Sequence, residues 1–229
     1  LFVKASGFDM AAIEPEGHTA LDFEYLLKLF NLDELSNPQM LNELCTHLFD
    51  FRSATPSIES LVHAFIPKTF VDHTHADSVL ALTNRPDGER VVEDALGKDV
   101  IILKYVKPGF DLAKASAEAF SGNPDARGMV WMNHGLVTWG NTAQKSYDAT
   151  IELVTRAEKY LSRNGAKLLK VVPSAAVATA ENRAVFAAPI IRGLLAHPDE
   201  SSEKPFRRVI LESLINWEVL NFLGSQEGK

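Results

Sequence analysis

Apolar positions along this chain recur with two periods, one near 3.6 residues and one of 2, and the switches between them mark its elements. Leu1 to Ala5 reads as a strand closed by the turn pair Ser6-Gly7, and Phe23 to Phe30 reads as a helix. A second helix opens at Asn37-Pro38, with Asn37 as cap and Pro38 at the first helical position, and runs to about Phe49. Thr55-Pro56 repeats that signal, and Ile58, Leu61, Val62 and Phe65 then form one buried face until Pro67 stops the helix. Phe70 to His75 is a strand, followed by a short helix through Leu82 that breaks at Asn84-Arg85-Pro86-Asp87-Gly88. Val100 to Val106 is apolar enough for a strand covered on both faces, and Asp111 is placed to cap a helix ending near Phe120. Met129 to Asn133 and Leu136 to Trp139 are strands with His134-Gly135 at the bend between them. Asn141 and Gln144 resemble a capping box, and the long helix after them is expected to bury Tyr147, Ile151, Val154 and Leu161 before ending at Asn164-Gly165.

Beyond Val172 the pattern loosens into an alanine-rich segment broken by Pro189 and a polar stretch from His197 to Lys204. Phe206, Val209, Ile210, Leu214 and Trp217 then return at helical spacing. Two domains follow, residues 1–169 as a layered α/β domain and 170–229 as a mostly helical appendage. Leu1-Phe2-Val3-Lys4 reads as mid-strand, so sequence is expected to precede it.

The chemistry gathers at Val71-Asp72-His73-Thr74-His75-Ala76-Asp77. Residues i and i+2 of an extended segment point to one side, so His73 and His75 can aim two imidazoles at one metal ion. His134 offers a third ligand, and Glu59 a carboxylate beside them. Plainer readings stand next to these. His134 can be a hydrogen-bonded core histidine, Ser57 a helix-capping hydroxyl, and Glu59 a first-turn carboxylate favoured by the helix dipole.

Composition narrows the class. A net charge of −7 argues against non-specific binding to nucleic acid or an anionic membrane. The single cysteine, Cys45, allows no internal disulfide and suits a reducing, cytoplasmic setting; its place in the pattern Leu41, Leu44, Cys45, Leu48 suggests a core position. No apolar run approaches a membrane span, and no Gly-rich phosphate loop is present, which argues against a nucleotide-dependent reaction.

The motifs Pro56-Ser57-x-Glu59, His73-Thr74-His75-Ala76-Asp77 and Met132-Asn133-His134-Gly135, in this order, resemble the class II aldolase/adducin family. The likeness spans roughly Phe2 to Leu161. It is closest to the aldolase part of bifunctional rhamnulose-1-phosphate aldolase/alcohol dehydrogenase proteins, especially at Pro108-Gly109-Phe110-Asp111-Leu112. The resemblance implies a three-layer α/β/α domain with a mainly antiparallel central sheet, assembled as a homotetramer, with a dehydrogenase domain outside this chain. It implies Zn²⁺, or another divalent cation, on His73, His75 and His134, with Glu59 as acid/base. Ser6, Gly7 and Ser57 match the family's phosphate pocket, and Lys4 is a further phosphate candidate because a cation suits an anion. The implied substrate is a rhamnulose- or fuculose-type ketose 1-phosphate, cleaved to dihydroxyacetone phosphate and a small aldehyde such as L-lactaldehyde.

Two departures stand out. Fuculose-phosphate aldolases carry a tyrosine soon after the H-x-H helix, whereas Asn84 to Val92 has none. Tyr105, the nearby alternative, reads as a core residue of its strand. Competing readings are a pentulose-phosphate 4-epimerase, which would have aspartate where Glu59 stands, a non-catalytic adducin-like scaffold, and a zinc hydrolase.

Overall fold

The computed structural model describes residues 1–164, 174–198, 206–207 and 210–224. The chain divides into two units, Leu1–Gly165 and Ala166–Lys229. In the first, strands β1 (Phe2–Lys4) and β2 (His18–Ala20) pair antiparallel, followed by helices α1 (Phe23–Leu29), α2 (Asn37–Thr46) and α3 (Ser60–Phe65). Strand β3 (Phe70–Thr74), helices α4 (Asp77–Thr83) and α5 (Gly88–Leu96), strand β4 (Val100–Leu103) and helix α6 (Phe110–Gly122) come next. Strands β5 (Gly128–Trp131) and β6 (Gly135–Gly140) lead into the long helix α7 (Ala143–Arg163).

The central sheet has the order β3-β6-β5-β4. Its β3–β6 and β5–β6 pairs are antiparallel and its β4–β5 pair is parallel. Connection length decides this. A short bend joins β5 to β6, whereas all of α6 lies between β4 and β5 and carries the chain back to the starting end. Alternation along the strands then sorts side chains into two cores. Ile101, Met129, Trp131 and Val137 pack beneath α1, α3 and α6, while Val130 and Leu136 face α4, α5 and α7. Helices thus cover both faces of a sheet whose middle strands are buried at every position, giving three layers.

Local details depart from the sequence pattern in several places. The cap of α2 is Ser36 rather than Asn37: its side chain and that of Gln39 form a reciprocal capping box, leaving Asn37 and Pro38 inside the helix. Helix α3 begins at Ser60 and not at Pro56, so Ile58 lies outside its buried face and is exposed. Cys45 is exposed, with Leu44 taking the core position beside it. Gly109 occupies the cap position of α6, placing Asp111 in its first turn. In α7 the cap is Thr142, which accepts from the Lys145 amide, while Gln144 bonds Asp148 instead. Its buried stripe is Ser146, Ala149, Leu153 and Ala157, and Tyr147 and Ile151 are 58% and 47% exposed.

In the second unit, α8 (Ser174–Leu194) contains Pro189, β7 (His197–Pro198) pairs antiparallel with β8 (Phe206–Arg207), and α9 (Trp217–Gly224) follows. Phe206 is therefore in a strand, and Ile210 and Leu214 precede the helix that was expected to hold them. Val209, Gly165 and the expected boundary at 170 lie outside the described residues.

Candidate metal centre

Three separate segments converge on one point. Strand β3 pairs with β6 so that His73 lies opposite Val137 and Thr74 opposite Leu136. The His73 Nδ1–H donates to the Leu136 carbonyl at 3.0 Å, which leaves Nε2 bare and turned inward. His75 follows directly after the strand, its ring centre 4.8 Å from that of His73. The bend between β5 and β6 delivers His134. Asn133 turns there with φ 58°, a left-handed conformation that asparagine tolerates, and its amide donates to the Thr83 carbonyl and the Asn84 side chain. Gly135 must lack a side chain, because a Cβ would stand 2.6 Å from the Thr74 carbonyl, 2.9 Å from His73 and 3.0 Å from His75.

Glu59 holds the position just before α3, and its amide donates to Ser57 Oγ at 3.2 Å. Ser57 and Glu59 therefore belong to the turn that leads into the helix, not to its first turn. One Glu59 oxygen is 2.9 Å from His134 Nε2 and the other 3.5 Å from His73 Nε2, while His73 and His75 Nε2 are 3.0 Å apart. One ligand atom from each of Glu59, His73, His75 and His134 falls within 4.8 Å of all the others. Trp131 forms the floor, its ring 4.6 Å from His73 and 4.9 Å from His134.

Burial pushes the His73 imidazole down to about 4, although the Glu59 carboxylate opposes this. Burial would raise Glu59, but the hydrogen bond from His134 and the charges of the three imidazoles outweigh it and hold the carboxyl below its usual range. The centre thus pairs an ionised carboxylate with an imidazole that stays neutral near pH 7. Ligand atoms sharing one zinc at about 2.05 Å would lie roughly 3.3 Å apart. The separations of 2.9, 3.0 and 3.5 Å bracket that spacing, so the donor set fits a divalent cation. His134 Nδ1 is buried without a hydrogen-bond partner among the described residues, which leaves that ring's second nitrogen uncommitted.

A cavity of about 730 Å³ opens onto this centre, lined by Glu59, His73 and His75 and also by Lys4, Ser6, Gly7 and Ser57. The four residues expected at a phosphate thus share one cavity with His73 and His75, two of the three expected metal ligands, and with Glu59. Backbone pairing brings them there: Ala5 bridges to Pro56, and the Ser6 amide donates to the Thr55 carbonyl at 2.9 Å. Gly7 turns away with φ 84°. The Lys4 ammonium donates to the Ala5 carbonyl at 3.1 Å.

His63, Thr69 and Asp72 also line the cavity and were not singled out by the motifs. His63 carried one signal, standing four residues after Glu59 and so one helical turn along. Trp131 carried another, two residues before Asn133 in a strand of period 2. Tyr105 is not a core residue: the strand stops at Leu103, and Tyr105 is 58% exposed beyond the sheet edge opposite β3.

Residues 1–161 match the family model described as class II aldolase and adducin N-terminal domain. A Bacillus subtilis (strain 168) protein named uncharacterized oxidoreductase YuxG is 35% identical over 162 residues, 71% of this chain. The match takes in 24% of that protein, so the chain spans about a quarter of the curated relative's length. Among solved structures, the N-terminal class II aldolase domain of a conserved protein from Thermoplasma acidophilum is similar with TM-score 0.66 and 34% identity. That likeness covers 70% of this chain and 74% of that one. An aldolase II superfamily protein from Pseudomonas syringae, at 18% identity and TM-score 0.51, covers 84% and 77% and is alike in fold.

Proposed function

The chain belongs to the class II aldolase and adducin N-terminal domain family, and from that premise we propose that it is a metal-dependent aldehyde-lyase. Its substrate would be a ketose 1-phosphate of the rhamnulose or fuculose type, released as dihydroxyacetone phosphate and a small aldehyde such as L-lactaldehyde. The observation carrying this reading is the meeting of Glu59, His73, His75 and His134 at the end of a cavity that also holds Lys4, Ser6, Gly7 and Ser57.

His73, His75 and His134 would hold the cation, and three imidazoles suit Zn²⁺. A cation there supplies Lewis acidity to the substrate's carbonyl end and offsets the negative charge that grows as the carbon–carbon bond breaks. Glu59, kept ionised beside the histidines, would take the proton from the carbon of dihydroxyacetone phosphate in synthesis and return it in cleavage. Lys4, Ser6, Gly7 and Ser57 would fix the phosphate, so that the bond to be broken lies over Glu59. Glu59 supports the aldolase over the 4-epimerase, which would carry aspartate there.

The same reading assigns the chemistry to residues 1–169 and makes 170–229 an appendage. It also has the chain acting in a cytoplasmic homotetramer, beside a dehydrogenase segment of a longer protein. The oxidoreductase name of the Bacillus subtilis relative, of which this chain spans 24%, supports that last element.

The test is metal analysis followed by a screen of ketose 1-phosphates for dihydroxyacetone phosphate release. Glu59→Gln is expected to keep the metal and to lose turnover by at least about a hundredfold. Full activity in that variant would remove Glu59 from the mechanism.

A further inference from the structure

His18 and His63 line the cavity outside the metal centre, and strand pairing fixes where His18 stands relative to the phosphate residues. In the antiparallel β1–β2 register His18 is directly across from Lys4. Leu1 and Leu21 exchange both of their backbone hydrogen bonds, and the Ala5 amide donates to the Gly17 carbonyl at 2.8 Å. Lys4 and His18 are therefore a pair without hydrogen bonds, the closer kind, with Cβ atoms about 4.5–5.5 Å apart on one face. Val3 and Thr19 are buried on the opposite face, so it is the face of Lys4 and His18 that turns to the cavity.

The other side of β1 is taken by the segment that carries Ser57. Ala5 bridges antiparallel to Pro56, and the Ser6 amide donates to the Thr55 carbonyl. One residue further along that bridge, Ser57 falls beside Lys4. A row thus runs His18, Lys4, Ser57 across three neighbouring chain segments, about 4.8 Å apart, with Lys4 in the middle. Neither Lys4 nor His18 forms an ion pair with a carboxylate among the described residues. The Lys4 ammonium gives one N–H to the Ala5 carbonyl and keeps two, and an imidazole carries at least one N–H in either protonation state. A cation and a second donor set directly opposite, with no carboxylate between them, match a bound anion.

Resting on the aldolase reading, we infer that His18 is a phosphate-binding residue: its ring N–H donates to a substrate phosphate oxygen from the flank of Lys4 opposite Ser57. A phosphate ester presents three terminal oxygens, so Ser57, Lys4 and His18 can each take one. A free hydroxyl has no such set, and the row thereby helps the site to select a 1-phosphate over the unphosphorylated ketose.

The experiment titrates the metal-loaded chain calorimetrically with glycolohydroxamate and with its phosphate ester, two metal chelators that differ by the phosphate alone. In His18→Leu the Kd of the ester should rise about tenfold, while that of the parent hydroxamate changes less than about twofold. Metal content per chain should stay at the wild-type value. His18→Gln, whose amide also donates, should recover part of the loss. His18 is exposed on its strand, and His18→Thr repeats the test should the leucine variant fail to fold. Equal changes for both chelators, or none for either, overturn the role of His18 and leave the aldolase reading standing. A wild-type protein that binds the ester no more tightly than its parent overturns the 1-phosphate substrate of that reading and this inference with it.

Discussion

A methyl group added at Gly135 probes how closely the histidines are held. Its carbon would meet the Thr74 carbonyl and both His73 and His75 within 3.0 Å. Gly135→Ala is therefore expected to weaken metal binding on the order of tenfold, measured by competition with a chelator. His63 gives a second test. Burial lowers its imidazole below the ordinary value of 6.5. As pH falls through 6.5 the unfolded chain takes up a proton that the folded chain refuses, so stability is complete above that value and declines below it. For metal-free protein the urea midpoint should be lower at about pH 5.5 than at about pH 7.5, and His63→Gln should reduce the difference to the part that His73, lowered in the same direction, contributes. At this scale the pair His73 and His75 was legible because period 2 alone puts them on one side. Trp131 and His63 were not, since the spacing that marks each of them fits an ordinary core residue equally well until distant strands and helices meet.

Among the elements, α7 shows why a hydrophobic pattern can pick the wrong face. Tyr147 and Ile151 are large and apolar, yet the helix turns Ser146, Ala149, Leu153 and Ala157 to the sheet. The approach is too close for large side chains. Thr138 Oγ1 lies 3.1 Å from the Ser146 carbonyl, and a Cβ on Gly140 would come within 2.7 Å of the Ser146 nitrogen. Small residues mark such contacts, and a count of apolar positions passes over them. Ala149→Leu is expected to cost about 1–3 kcal/mol by overpacking, read from urea unfolding at constant m-value. The helix openings were misplaced by smaller margins. Ser36 competes with Asn37 as a cap and wins through Gln39, and the Pro56 signal starts the turn that holds Ser57 and Glu59, with the helix itself four residues later.

For the molecule as a whole, the layered α/β class followed from the alternation of periods, whereas the mainly antiparallel sheet that the resemblance implied holds for two of its three pairs, β4–β5 being parallel because a helix lies between its strands. The tail was less legible because Phe206 is in β8, and an apolar residue in a two-residue strand looks no different from one in a helix. Because the ligand set draws on the turn before α3, on β3 and on the β5–β6 bend, a bound cation would tie together segments far apart in sequence. At a thousandfold excess over Kd this should raise Tm on the order of 10 °C, and a chelator should reverse it. Trp131 would make that event visible. Its indole lies under His73 and His134, 4.6 and 4.9 Å from their rings. A paramagnetic ion such as Co²⁺ seated above it should quench its emission, whereas Trp→Phe at position 131 would abolish that response and leave the light of Trp139 and Trp217. The centre thus comes with an intrinsic optical probe, needing no label and no substrate to report whether the ion is there.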